Sequence, residues 1–304
     1  MNPQEAKVYF KGILANVDSS ILQMDFNHGF KIESFSDEEA TTFFENLEKI
    51  PRMTIAEKYF MRYGCLNFSE QRMYAISKLF ENMSTLDFPE IARFDNTLVL
   101  GYLDPTIRLM RLFKEGDIRM PVKFYYRVQN NEIERHMSGT MGRYISHEPY
   151  HLEAFEVPIL QNFIHGVKLP FQRDFVQLAF ENFELSYEIS DIQLAFVVLM
   201  IGLEALLNPA YDEVRYRVSR NTAVLLGEDR EKSEEILTLV KKLYDKRSEI
   251  IHSGKRKIVE KVDLLTLRDY VRRAIKEIYY IDKEKNKIMN LLNSYGFGEK
   301  IEKS

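Results

Sequence analysis

Cysteine is almost missing from this chain: Cys65 is the only one in 304 residues. A lone thiol excludes an intramolecular disulfide and any zinc site built from cysteines, and it fits a reducing compartment. Tryptophan is absent too, which decides nothing. No hydrophobic run is long enough for a membrane span. The most apolar window, Leu194–Leu203 continuing to Leu207, carries Glu204 and reads as a buried core helix. The first residues, MNPQEAKVYFKG, show no basic stretch followed by an apolar one, so no signal peptide is expected. Excess basic charge is missing as well. The net charge is −4, so nothing in the global balance asks for nucleic acid, and any such binding must come from a local patch. Glycine-rich phosphate loops and the G-x-S-x-G nucleophile elbow do not occur, which removes P-loop and α/β-hydrolase chemistry. No internal repeat or low-complexity linker is visible. A cytoplasmic protein without membrane association or cofactor is the resulting expectation.

What remains is an ordinary globular composition, 45% hydrophobic and 29% charged, on a chain long enough for two domains. The expected fold class is α+β, with a mixed α/β domain over residues 1–168 and an all-α bundle over 169–304. In the first part Val8–Ala15, Leu22–Phe26, Phe30–Glu33, Thr97–Leu103 and Met120–Val128 read as strands. Ser36-Asp-Glu-Glu39 is a capping-box pattern opening a helix that Pro51 must end, and Glu70–Met83 and Ile107–Phe113 carry helical periodicity. In the second part five helices are expected. They are Phe171–Tyr187, Asp191–Leu207, Asp212–Leu226 stopped by Gly227, Glu231–Ile251, and Ile258–Ser294, the last long enough to contain a hidden break.

The chemistry-bearing string is Arg247-Ser-Glu-Ile-Ile-His252, closing the fourth helix ahead of Gly254. Arg247 is permanently cationic and can grip phosphate oxygens with a planar fork of donors. His252 can give and take protons near neutrality. RNA carries its own nucleophile, the 2′-OH, so cleavage needs only a base, a phosphate stabiliser and a proton donor. Lys241–Lys257 adds seven cations against Asp245 and Glu249, a local balance of +5. Arg272 and Arg273 are candidates for the same face. One geometric gap stands out: five helical steps of about 100° put Arg247 and His252 roughly 140° apart. A loosened last turn or a composite site across a dimer must close that gap.

The order of motifs carries a resemblance. Ile201-Gly-Leu-Glu-Ala-Leu-Leu207 is followed by a helix with Arg215, Arg217 and Arg220 that ends in a leucine pair and Gly227, and then by Leu243-Tyr-Asp-Lys-Arg-Ser-Glu-Ile-Ile-His252. Over roughly Pro170–Ile281, with a weaker echo in Leu109–Lys114, this is similar to the HEPN superfamily and resembles most its large Apea-like branch. The resemblance implies a helical bundle that dimerises and a metal-independent endoribonuclease activity of defence or stress systems. It implies Arg247 and His252 as the catalytic pair, with cleavage leaving a 2′,3′-cyclic phosphate. Gly254 stands where one toxin subgroup has a tyrosine, which sets this chain apart from that subgroup.

Around the pair, Ser248, Lys246, Arg217, Arg220 and Lys255 are candidate RNA contacts, and the N-terminal domain is a candidate sensor for a regulatory protein or ligand. Glu204 is expected to be a structural partner of Arg217 or Arg220, since a buried carboxylate needs one. Tyr244 reads as packing, and Phe196, Leu199 and Leu203 as core. The alternative function is a non-catalytic nucleotide- or RNA-binding and dimerisation module. A third pattern, His147-Glu-Pro-Tyr-His151, matches the H-E-x-x-H of zinc peptidases. That chemistry needs both histidines on one helical face, and Pro149 forbids the helix. His28, His136 and His165 are isolated, and no metal site is expected.

Overall fold

A computed structural model of the chain describes residues 7–36, 38–41, 65–67, 69–80, 87–129, 132–139, 149–208, 212–253 and 257–301. The chain divides into two compact units, Met1–Val167 and Lys168–Ser304. An antiparallel sheet occupies the first and helices the second, an α+β protein with a helical C-terminal part.

In the first unit the strands are β1 (Lys7–Ala15), β2 (Lys31–Ser36), β3 (Leu66–Asn67), β4 (Arg72–Phe80), β5 (Arg119–Gln129) and β6 (Glu132–Gly139), in the order β2-β4-β1-β5-β6 with β3 beside β4. β1 lies at the centre, pairing Leu14 with Tyr74 on one side and Phe10 with Tyr125 on the other. Successive side chains alternate faces. Val8, Phe10 and Leu14 therefore join one core, while Ile13 and Ala15 join Val122 and Phe124 in a second on the opposite face. Pro121 sits where the β1–β5 register shifts, a place where its missing N–H leaves no ladder bond unmade. The helices are α1 (Phe88–Phe94), a π-helical stretch Asp95–Leu103, α2 (Asp104–Phe113) and α3 (Glu156–Gly166). Their buried Ile91, Val99, Leu103, Met110 and Leu160 cover the first core.

Three expectations fail in this unit. Leu22–Phe26 is not a strand: a 3-10 turn, Ser19–Gln23, is capped by Asp18, whose Oδ1 accepts from Ser20 N at 2.9 Å. Glu70–Met83 is not a helix but contains β4. Its Met73–Ile76 are buried continuously because the strand is covered on both faces, which erases the alternation that marks a strand. Thr97–Leu103 is helical, held by burial of Val99 and Leu103 against the sheet over its β-branched local preference. The capping box does form, with Ser36 N donating to Glu39 Oε2 at 2.8 Å and Glu39 N to Ser36 Oγ at 3.3 Å. The continuation of that helix to Pro51 lies outside the described residues.

The second unit comprises α4 (Asp174–Glu188), α5 (Ile192–Leu207), α6 (Val214–Leu226), α7 (Arg230–Ser253), α8 (Lys261–Ile281) and α9 (Lys285–Ser294). The fifth expected helix is two, because Asp282 adopts a left-handed φ of 48° and ends α8. α5 packs along α4, α6 and α8, so nearly every side chain it carries must be apolar. Phe196, Leu199 and Leu203 are fully buried there, each worth about 1.5–3 kcal/mol of transfer free energy. Asp191 caps α5 by accepting from Gln193 N and Leu194 N. Among the described residues no helix is long and apolar enough to cross a membrane.

Candidate functional site

The site is assembled on α7, which stays helical through Ser253. Its register is fixed by Ile236, Val240 and Leu243, which face the core at helical spacing. The last turn is not loosened. Ser253 Oγ donates to the Glu249 carbonyl one turn back, so the helix runs past His252 intact. Arg247 and His252 therefore sit roughly 140° apart around the helix and roughly 7.5 Å apart along it. Arg247 turns inward, with its side chain 21% exposed, while His252 is exposed on the terminal turn.

Inward, Arg247 meets Glu204 near the end of α5, with Nη2 to Oε1 at 3.5 Å. This corrects the expectation that Arg217 or Arg220 would serve Glu204. A carboxylate alone on an apolar helix demands a cation, but three arginines of α6 and one of α7 compete, and only packing decides which is closest. Burial raises the Glu204 carboxyl above its ordinary range, while the Arg247 charge and a hydrogen bond from Tyr244 pull it partly back. The Arg247 guanidinium also lies over the Tyr244 ring, 5.6 Å from its centroid. Tyr244 is thus more than packing: it joins both members of the pair. Among the described residues Arg247 Nε and Glu204 Oε1 are buried without a hydrogen-bond partner, so this pair is under-satisfied.

The other candidates divide. Lys246 is held by Asp263 at 2.6 Å, which ties α7 to the capping box at the start of α8. Arg220 donates to the carbonyls of Leu292 at 2.9 Å and Tyr295 at 3.0 Å, satisfying the end of α9. These two cations have structural partners in this unit. Among the described residues Arg217 reaches Glu213, at 3.9 Å, and its buried Nε has no hydrogen-bond partner. Ser248 is half-buried on α7 beside Arg247. Lys255 lies outside the described residues. Arg215 forks onto Asp245 with two bonds of 2.6 Å. The apparent +5 balance is therefore reduced by Asp263 and Glu204, carboxylates that come from other helices and lie outside the counted window.

Arg272 and Arg273 do not extend this face. Arg272 pairs with Asp269, and Arg273 donates to the Leu226 carbonyl at 2.9 Å. In the zinc-peptidase string, His147 and Glu148 lie outside the described residues. His151 bonds through Nδ1 to Asp18 Oδ2 at 2.7 Å. Among the described residues no three His, Cys, Asp or Glu side chains gather as a metal-holding group.

Comparison with protein-family models, curated proteins and solved structures returns no match for this chain. The functional reading therefore rests on the residues themselves.

Proposed function

We propose that the helical unit is an HEPN-like, metal-independent endoribonuclease in which Arg247 and His252 act on the phosphodiester. The observation that carries the reading is the pairing, on one helix, of an under-satisfied guanidinium beside a buried carboxylate with an exposed imidazole at the helix end. Arg247 neutralises charge building on the phosphate oxygens. His252 takes the 2′-OH proton or gives one to the leaving 5′-oxygen, and the new O–P bond closes a 2′,3′-cyclic phosphate as the P–O5′ bond breaks. The 140° separation within one chain supports a composite site, in which a second copy brings its own histidine to complete the acid–base pair. Arg217, Ser248 and Lys255 are carried forward as candidates for phosphate contact. The N-terminal unit would then select the substrate or sense a trigger, in a cytoplasmic defence or stress role.

The test is cleavage of end-labelled total RNA in EDTA by wild type, His252→Ala, Arg247→Ala and Arg247→Lys, with product ends mapped. Wild-type cutting to cyclic-phosphate ends, lost in both alanine variants and poorly restored by lysine, is the expected result. Mixing the two alanine variants should restore part of the activity if the site is shared between chains. Cutting by either alanine variant at the wild-type rate ends the assignment. RNA binding without cutting moves the protein to the alternative, a binding and dimerisation module. That second reading draws support from Glu204, which already occupies the guanidinium an RNA phosphate would need.

A further inference from the structure

A cavity of about 730 Å³ opens in the helical unit between the end of α6, the second half of α8 and the tail after α9. It is separate from the residues assigned to RNA. Val224, Leu225, Leu226, Ile281 and Ile301 give it apolar walls. Its tail wall is anchored, because Gly298 takes a φ of +80° and sits so close to α7 that a Cβ there would lie 2.6 Å from Arg230 N. The volume falls within the range of small-molecule sites, roughly 300–1,000 Å³, and is many times that of a single water or simple ion.

Three cations of α8 line it: Arg272, Arg273 and Lys276. Arg272 has a side chain only 10% exposed, and its Nε is buried with no hydrogen-bond acceptor. Asp269 has to serve both guanidinium groups, pairing with Arg272 and standing 3.6 Å from Arg273 Nη1. One carboxylate shared by two arginines leaves the Arg272 Nε without an acceptor among the described residues, on a low-dielectric wall. Burial, together with the nearby Arg272 charge, pushes the Lys276 ammonium down to about 8. An arriving anion would give the Arg272 Nε an acceptor and favour the charged form of Lys276. Glu228, Glu277, Glu299 and Lys300 also line it, and Glu299 accepts from Gly296 N at 2.7 Å. Those carboxylates disfavour a polyanion and favour a ligand whose far end donates hydrogen bonds.

We propose that this cavity binds a small phosphorylated molecule bearing hydroxyl groups, its phosphate gripped by Arg272, Arg273 and Lys276 and its hydroxyls taken by Glu228 and Glu277. A phosphate fits better than a carboxylate because three donor groups converge from adjoining positions of one helix, and a phosphate presents more acceptor oxygens than a carboxylate. The proposal does not rest on the ribonuclease reading, and its assay reads binding rather than cutting.

The test is isothermal titration of the full chain with ribose 5-phosphate, inorganic phosphate and ribose as probes. Ribose 5-phosphate should bind more tightly than either fragment. Binding near pH 8 should take up protons, seen as a heat that depends on the buffer, because the bound anion restores the Lys276 charge; affinity should fall as pH rises through 8. Lys276→Met should weaken binding about tenfold or more and abolish the proton uptake, with its unfolding midpoint confirming a folded chain. Should that variant fail to fold, Glu228→Gln at an exposed position decides, with severalfold weaker binding of ribose 5-phosphate and unchanged binding of inorganic phosphate expected. The site is overturned if none of the three probes binds at millimolar concentration, or if the folded variant binds like wild type. It is also overturned if ribose alone binds as well as its phosphate.

Discussion

Replacing either member of the Arg247–Glu204 pair should have unequal consequences, because a guanidinium left alone keeps the Tyr244 ring against it whereas the carboxylate is already disfavoured by burial. The two side chains are each 21% exposed and 3.5 Å apart. Burial raises the Glu204 carboxyl above its ordinary 4.5 despite the adjacent cation, so desolvation exceeds the ion-pair gain. Glu204→Gln removes the charge that burial opposes, keeps the shape and still accepts from Tyr244. Its stability at pH 7 should lie within about 0.5 kcal/mol of wild type or above it. Arg247→Met strands a buried carboxylate. Removing one partner of a fully buried pair costs about 3–5 kcal/mol, and with a fifth of each side chain in water about 1–2 kcal/mol is expected. The double variant should recover most of that loss.

The pH dependence gives a second handle on the same pair. A carboxyl raised in the folded state binds its proton more tightly there than when unfolded. The stability it contributes is fully present below 4.5 and is lost as pH rises through the folded value. Without Arg247 that value rises further, so the penalty of Arg247→Met should grow from low pH toward neutrality. Urea unfolding of the four chains at pH 4.5 and pH 7 measures it, with unchanged m-values required for the comparison. A penalty independent of pH, or a Glu204→Gln variant as destabilised as Arg247→Met, refutes the argument.

Three further outcomes are expected. Arg220→Met should free the carbonyls of Leu292 and Tyr295, costing about 1–3 kcal/mol and speeding amide exchange at the end of α9. Lys246→Met should lose the Asp263 bond, cost about 0.5–1 kcal/mol in urea unfolding, and leave any RNA cutting within about twofold of wild type because its ammonium is already engaged. Cys65 is buried, which pushes its thiol up to about 12, so a disulfide-exchange reagent at pH 8 should label it only after denaturation.

Much of the helical unit was legible because its signals are local. Asp191 caps α5 through its own side chain, Gly227 stops α6, and the apolar content of α5 reports burial on several sides. The sheet was legible where part of a strand still alternates, as Lys7–Gly12 of β1 does, or where aromatic and β-branched residues gather, as in β5. β4 failed because a strand sandwiched between two cores has no polar face to alternate with. The π-helical stretch failed because Val99 and Leu103 are placed by contacts with distant strands, which no window of sequence contains. At the site the positions of Arg247 and His252 on their helix could be derived in advance. The partner of Glu204 could not, since choosing among four arginines requires the packing of α5, α6 and α7.

The intact last turn of α7 sharpens the functional question. Had the helix frayed before His252, the imidazole could have swung back over Arg247 and one chain could have held a complete site. With Ser253 bonded back to Glu249 and Arg247 anchored inward, the two groups present themselves in different directions. A phosphate gripped by Arg247 then lies off the arc that the His252 ring sweeps, and chemistry on it requires a base or acid from elsewhere. Among the described residues, His28 meets the Tyr102 ring edge-on, His136 lies in β6, and His151 and His165 are tied to Asp18 and Asn27, all in the first unit; the second unit holds no histidine besides His252. A second histidine for the proposed reaction is thus most directly the same residue on another copy of the chain.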